Sequence, residues 1–466
     1  MIDSNPSLVI LDVRNQSEYN SGHVRNAKLI PIYELEYRLD ELDINDEILV
    51  YCKLGGRSST ASEILSDNGF LYVYNMLGGI TAWMDEGYPV YVKYSSIQEV
   101  INSASEGEAI FVGSGAYYEH VVVNRTVSLV AENRENTIIC GDATQITLKI
   151  GKPNVNVTGF KIVNATEGVY LTDYANSCII KDCEIVNNSL GIFVKSDNNL
   201  LVGNVVVNNC AAGIKIYASC SCSPVHGNIV VENNLFNNSY GVQLINSDGS
   251  LVYHNNFMNN THQTICSFAF NRWDNGYPSG GNYWSDYADV DLYSGSGQDE
   301  TGSDGIGDTA YEIDIDDQDG YPLMGPISVF DVGTWNEEEC NVNVVGNSTI
   351  SKFQFNKTQK IISFNVTGEA GLGFCRAIIP NVIVQDLWQG SYTVLVDGEE
   401  PLMMNNWTDE TCAYVYFTYY HSEHEVIILP EFPSLIILPL FMLAVLVVII
   451  HEKKNGVEWK TGDKTI

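Results

Sequence analysis

Cys52 has the most reactive setting in this sequence. It ends the apolar run EILVY (47–51) and opens the stretch CysLysLeuGlyGlyArgSer at 52–58. Gly55 and Gly56 free the backbone to curl, so that N–H groups of the loop turn inward as an anion nest. A helix starting near Ser58 would aim its positive end at the same spot, and Arg57 adds a full charge. Such a setting favours a thiolate, which is the nucleophilic form of cysteine, and then a persulfide. A buried, inert cysteine at a strand end is the plainer reading, and the glycine-rich loop argues against it. A second group of residues suits cation chemistry. The stretch GlnAspGluThrGlySerAspGlyIleGlyAspThr at 298–309 is dense in hard oxygen ligands, with Asp299, Asp304 and Asp308 as candidates for calcium. Its spacing is not that of an EF-hand loop. His120, His226, His254 and His262 are dispersed, which speaks against a copper site. None of the 11 cysteines forms a CxxC pair, so a zinc ribbon is not expected. Cys340, Cys375 and Cys412 fall in the last folded region, where one disulfide and one free thiol are expected.

A nucleophile of this kind needs a rigid frame. With 466 residues, 45% of them hydrophobic, the chain is long enough for about three packed domains. Its formal charge of −34, from 58 acidic against 24 basic residues, speaks against a nucleic-acid partner, which needs clustered Lys and Arg. Residues 1–92 alternate apolar runs with helical patterns, which predicts a parallel α/β sheet. Sites in such sheets lie at the carboxyl ends of strands, where Cys52 falls.

The pattern changes near Ser95. A short helix, SIQEVINSA, leads into successive short strands. IleValAsn at 162–164 returns at 185–187, then as ValValAsn at 206–208, PheAsnAsn at 236–238 and MetAsnAsn at 258–260. Gly168, Gly191, Gly213 and Gly241 repeat in step. The period of roughly 21–23 residues, with one longer step at an insert, predicts a β-solenoid over 93–270. Each rung exposes sheet edges that only stacked neighbours satisfy. Asn suits the corners because it tolerates left-handed turns and ladders with its copies. Residues 271–326 are rich in Gly, Asp, Tyr and Trp without a period, and are expected to close the solenoid. Trp273, Tyr283 and Trp284 would plug its end or stack on sugars. Residues 327–428 alternate as a β-sandwich does. The uncharged run Leu435–Ile450, followed by His451, Lys453 and Lys454, predicts a transmembrane helix over 432–450. The tail 451–466 is then cytoplasmic and the main body extracellular. Asn-x-Ser/Thr sequons at Asn124, Asn156, Asn164, Asn187, Asn237, Asn259, Asn347, Asn356, Asn365 and Asn406 fit a glycosylated exterior. No secretory leader is legible after Met1.

Over nearly all of 1–92 the sequence resembles the rhodanese family. The matching pieces are LeuAspValArg at 11–14, Glu18, GlyHisVal at 22–24, IlePro at 30–31, the 52–58 loop, LeuGlyGly at 77–79 and AlaTrp at 82–83. The resemblance implies a sulfurtransferase that moves sulfane sulfur through a Cys52 persulfide. The donor would be thiosulfate or a persulfide, the acceptor a thiol, and no cofactor is required. It implies that Arg57 helps hold the anionic donor and that Lys53, Leu54, Gly55, Gly56 and Ser58 cradle it. Asp12, Arg14 and His23 are implied to be structural, fixing the sheet and nearby loops. Four residues separate Cys52 from Arg57, whereas related phosphatases of this fold use a longer loop, so sulfur fits better than phosphate. The family's further strand and helix before LeuAspValArg are not legible, so the domain reads as N-terminally short.

Residues 95–270 resemble the right-handed parallel β-helix family, in the branch of NosD-like and archaeal surface proteins. The stretch 271–287 resembles a module that follows such helices. ProGluPhe at 430–432 resembles archaeal C-terminal sorting signals, beside the reading as a plain anchor. Together these imply a single-pass archaeal cell-surface protein carrying a sulfurtransferase domain. The alternative is a structural or glycan-binding β-helix protein whose rhodanese domain is inactive.

Overall fold

The computed structural model describes residues 7–267, 270–335 and 338–431. They fall into two compact units, 7–329 with Asn343–Asn347, and 330–342 with 348–431.

The first unit begins with β1 (Val9–Asp12), α1 (Gln16–Asn20), β2 (Lys28–Leu29), β3 (Glu47–Tyr51), α2 (Gly56–Asp67), β4 (Tyr72–Asn75) and α3 (Gly79–Asp85). The strands make one sheet in the order β2-β1-β3-β4, with every neighbour parallel. Strand β3 is interior and covered on both faces, which is why its sequence is nearly unbroken apolar. Ile48 and Val50 pack with Ala61 and Leu65 of α2 on one face. Tyr51 packs with Ile80 of α3 on the other. This arrangement sets Cys52 at the carboxyl end of β3, between the amino ends of two helices.

The solenoid follows as three parallel sheets of seven, nine and eight strands, preceded by α4 (Ile97–Ser103). Ile162, Ile185, Val206, Leu235 and Phe257 form one inward column and are fully buried. Asn164, Asn187, Asn208, Asn237 and Asn259 take the left-handed corners, with φ between 54° and 59°. Each is followed by an asparagine or its equivalent in a buried ladder. The N–H of Asn188 donates to Asn209 Oδ1, that of Asn209 to Asn238, and that of Asn238 to Asn260, across 21, 29 and 22 residues. The repeated glycines have a steric cause: a Cβ on Gly191 would lie 2.4 Å from the carbonyl oxygen of Gly213. Four of the sequon asparagines, at 164, 187, 237 and 259, therefore have a backbone reason to be where they are.

The stretch 271–326 extends the solenoid. Phe270–Arg272 and Tyr283–Trp284 add to two of its sheets in parallel. Trp273 and Trp284 are fully buried in the solenoid core. Trp284 stacks between Phe257 (4.2 Å) and Tyr311 (4.3 Å), and its Nε1 donates to Asp319 Oδ2 at 2.9 Å. Both tryptophans thus act as a plug and offer no face for sugar stacking, whereas Tyr283 is half-buried.

No flexible linker separates the α/β layer from the solenoid. Tyr91 exchanges backbone hydrogen bonds with His23, while Val92 pairs with the solenoid strand at Val112. Glu132, 2% exposed, sits at this junction. Its carboxylate accepts from His23 Nε2 (2.9 Å), the Asn26 N–H (3.0 Å), and the N–H and hydroxyl of Ser114 (2.8 and 2.7 Å). Burial opposes its charge, but His23 and Ser114 outweigh burial and bring its pKa down to about 2.

Two further sheets, of five and four strands, follow from residue 327; the four-stranded one is antiparallel throughout, in keeping with the predicted β-sandwich. The expected disulfide among Cys340, Cys375 and Cys412 does not form; all three are free. Cys375 is fully buried, with its Sγ against the Tyr419 hydroxyl at 3.4 Å, so it packs as a small core side chain. The bonded pair is Cys220–Cys222, in the solenoid insert. Among the described residues no helix is long and apolar enough to cross a membrane. The run expected to do so, 432–450, lies outside them.

Candidate active site

The loop after β3 is shaped by two glycines in left-handed conformation. Gly55, at φ +100°, turns the chain into α2, so the helix starts at Gly56, slightly earlier than the sequence suggested. Gly79, at φ +59°, brings the start of α3 against the back of the loop. There the N–H of Ile80 donates to the Cys52 carbonyl (2.9 Å) and that of Thr81 to the Lys53 carbonyl (3.2 Å). With its carbonyls drawn outward, the loop is left with N–H groups facing its hollow.

Cys52 is 1% exposed. Its Sγ accepts from the Gly55 N–H at 3.1 Å and the Ser58 hydroxyl at 3.5 Å. Burial opposes ionisation, but the Ser58 hydroxyl and the N–H groups of Ser58, Leu54 and Gly55 outweigh it, and the thiol is lowered below its ordinary pKa. The positive end of α2 acts in the same direction. Lys53 and Leu54 stand exposed at the rim, and Leu77 is 84% exposed.

Arg57 is held by Glu18. Its Nη1 donates to Oε2 (2.7 Å) and its Nη2 to Oε1 (2.6 Å), a bidentate pair. The bond to Arg57 takes the Glu18 carboxyl down to about 2. Glu18 was visible in the sequence as a family position but without a role; the structure gives it one, orienting Arg57. Asp12 and Arg14 form a buried pair at 2.6 Å, and Arg14 Nη2 also donates to the Gly22 carbonyl. His23, the third of these residues, lies at the junction with Glu132. Sequence reasoning quoted Gly79 within LeuGlyGly without giving it a role, and missed Glu132. The GlyGly pair at 78–79 was a signal for the first; Glu132 had none, because its partners lie more than a hundred residues away.

Of the expected calcium ligands, Asp304 is fully buried, Asp308 accepts the Leu292 and Tyr293 N–H groups, and Asp299 is exposed. Asp291, not singled out by the sequence, receives the N–H groups of Asp304 and Gly305. The four dispersed histidines join no metal-capable cluster among the described residues.

This chain belongs, through its N-terminal domain, to the rhodanese-like family, whose model matches residues 1–86. A second model, described as periplasmic copper-binding protein (NosD), a parallel β-helix family, matches residues 62–289. Among curated relatives, YrkF of Bacillus subtilis, named as a candidate sulfur carrier protein, is 42% identical over 82 residues, 18% of this chain and 44% of its own. A sulfurtransferase of Allochromatium vinosum is 30% identical over 83 residues, covering 18% of this chain and 78% of its own. The thiosulfate sulfurtransferase GlpE of Coxiella burnetii is 34% identical over 76 residues, covering 16% and 71%. The chain spans 44% and 59% of the length of the Bacillus subtilis relatives YrkF and YqhL. Among solved structures, a rhodanese-related protein of Thermoplasma volcanium is 38% identical, over 19% of this chain and 86% of its own, with a TM-score of 0.18.

Proposed function

We propose that the N-terminal domain is a sulfurtransferase working through Cys52. The Cys52 thiolate attacks the outer sulfur of thiosulfate; a new S–S bond forms, the old one breaks, and sulfite leaves with the bonding pair. An acceptor thiolate then attacks the outer sulfur of the persulfide, and the Cys52 thiolate is regenerated. The observation that carries this reading is the convergence of N–H and hydroxyl donors on Cys52 Sγ at the start of α2. The same donors would hold the persulfide anion and the departing sulfite charge. Arg57, fixed by Glu18, supplies a fixed positive charge at the rim. Relatives named as sulfurtransferases over this same region support the reaction class.

The solenoid then serves as a rigid mount, supported by the hydrogen-bonded junction at Glu132. Membrane attachment through 432–450, calcium in the Asp-rich loops and a surface glycan belong to the same proposal of an outward-facing protein. The test is thiosulfate:cyanide sulfurtransferase activity of the chain beside Cys52→Ala, with mass spectrometry for one added sulfur atom on Cys52. Turnover and adduct are expected and should vanish in the variant. A folded protein with neither would overturn the assignment.

A further inference from the structure

At the capped end of the solenoid an aliphatic column ends in a thiol. Ile150, Leu171, Val194, Ile216 and Leu244 stack in register, and the next position is Cys266. Beyond it the tip of a small hairpin, between Tyr311–Glu312 and Gln318–Asp319, brings up Asp314 and Asp317. Ligand atoms of Cys266, Asp314 and Asp317 all lie within 4.8 Å of one another, and among the described residues this is the one such group. Asp317 is 4% exposed, its Oδ2 is buried without an N–H or O–H donor, and its carboxylate also meets the Cys266 thiol. That is a costly state for a carboxylate oxygen, unless something is meant to occupy the space before it.

The other side of each group is already engaged. Asp314 Oδ1 accepts the N–H groups of Asp316 and Asp317 (2.8 and 2.9 Å). Asp317 Oδ1 accepts the Asn271 N–H at 3.2 Å, and Asn271 Nδ2 donates to Cys266 Sγ at 3.5 Å. Each carboxylate thus keeps one oxygen free of N–H and O–H donors while its orientation is fixed, the pattern of ligands held from behind. We infer that Cys266, Asp314 and Asp317 form a binding site for a zinc-class divalent cation that ties the hairpin to the last rung. A thiolate with two carboxylates suits zinc, whereas calcium and magnesium take oxygen-only sets. Zinc bonds of about 2.0–2.3 Å would draw the three atoms to roughly 3.5 Å apart, a closure of about an ångström at the hairpin tip. Electrostatics agrees. Burial, then the hydrogen bond and charge of Asp317 and the charge of Asp314, raise the Cys266 thiol; burial with the charges of Asp314 and Asp316 raises Asp317, over the opposing bonds from Cys266 and the Asn271 N–H. A dication reverses each of those repulsions.

The test uses the full chain, stripped with a chelator and titrated with Co²⁺ as a visible substitute for Zn²⁺. One equivalent should give a near-ultraviolet sulfur-to-cobalt charge-transfer band, displaced by Zn²⁺ and not by Ca²⁺. Cys266→Ser should abolish the band. Asp314→Asn keeps the turn's acceptor oxygen but not the charge, and should weaken Zn²⁺ at least tenfold while leaving the far-ultraviolet spectrum unchanged. The inference is overturned if no band appears at one equivalent, if the band survives Cys266→Ser, or if Asp314→Asn binds Zn²⁺ as the parent does. Should Cys266→Ser not fold, Asp314→Asn decides alone.

Discussion

Replacing Gly79 by Ala tests whether the back of the Cys52 loop sets the reaction geometry. A Cβ at this position would lie 2.3 Å from the Cys52 carbonyl oxygen and 2.7 Å from the carbonyl carbon and oxygen of Lys53. Non-bonded contacts are comfortable near 3.5 Å, so the loop must retreat by about 1 Å. The residue also sits at φ +59°, where an L side chain costs about 1–2 kcal/mol. Displacement of about 1 Å in a reacting group costs on the order of 100-fold in rate. Gly87 supplies the control: its φ is +82° and nothing lies within 4 Å of a Cβ there. Gly87→Ala therefore carries the backbone strain without the push on the loop. Both variants are compared with the parent by thermal melting and by kcat/KM for thiosulfate, at a temperature where all are folded. Gly79→Ala should lose about two orders of magnitude in kcat/KM, and Gly87→Ala should stay within about twofold. Turnover by Gly79→Ala at the parent rate would show that the α3 amino end does not position the nucleophile. An equal loss in Gly87→Ala would show that general strain, not loop displacement, is responsible.

Two further substitutions probe the frame. Glu132 titrates near 2 in the fold against 4.5 ordinarily, so its contribution is full above about pH 4.5 and is lost as pH falls toward 2. That difference is worth on the order of 3 kcal/mol. Glu132→Gln should lower stability at neutral pH and flatten its dependence between about pH 2 and 4.5, measured by denaturant unfolding across pH; an unchanged slope would count against the junction. Asn209 is fully buried and serves both neighbours of its ladder, accepting from Asn188 and donating to Asn238. Asn209→Leu strands the Asn188 N–H and should cost about 2–4 kcal/mol, read as a fall in melting temperature. A near-neutral result would mean the ladder is ornament rather than support.

The sequence alone determined what is local or periodic. Cys52 and its glycine loop were legible because strand, turn and helix signals adjoin each other within about a dozen residues. The solenoid was legible because a rung repeats, and the same backbone corner demands Asn each time. The plug was legible in outline from aromatic and glycine content.

Tertiary structure decided whatever depends on residues distant in the chain. Glu18 and Arg57 pair from α1 and α2; His23 finds Glu132 across the domain junction; Cys266 meets Asp314 and Asp317 only once the hairpin folds back on the last rung. The pairing of cysteines also lay beyond sequence, because nothing local tells a buried thiol from a bonded one. Periodicity reports which face of a strand or helix is covered, but not by what. The partner of a buried charge is fixed by packing alone, and there the requirement that it be satisfied selects one residue among many.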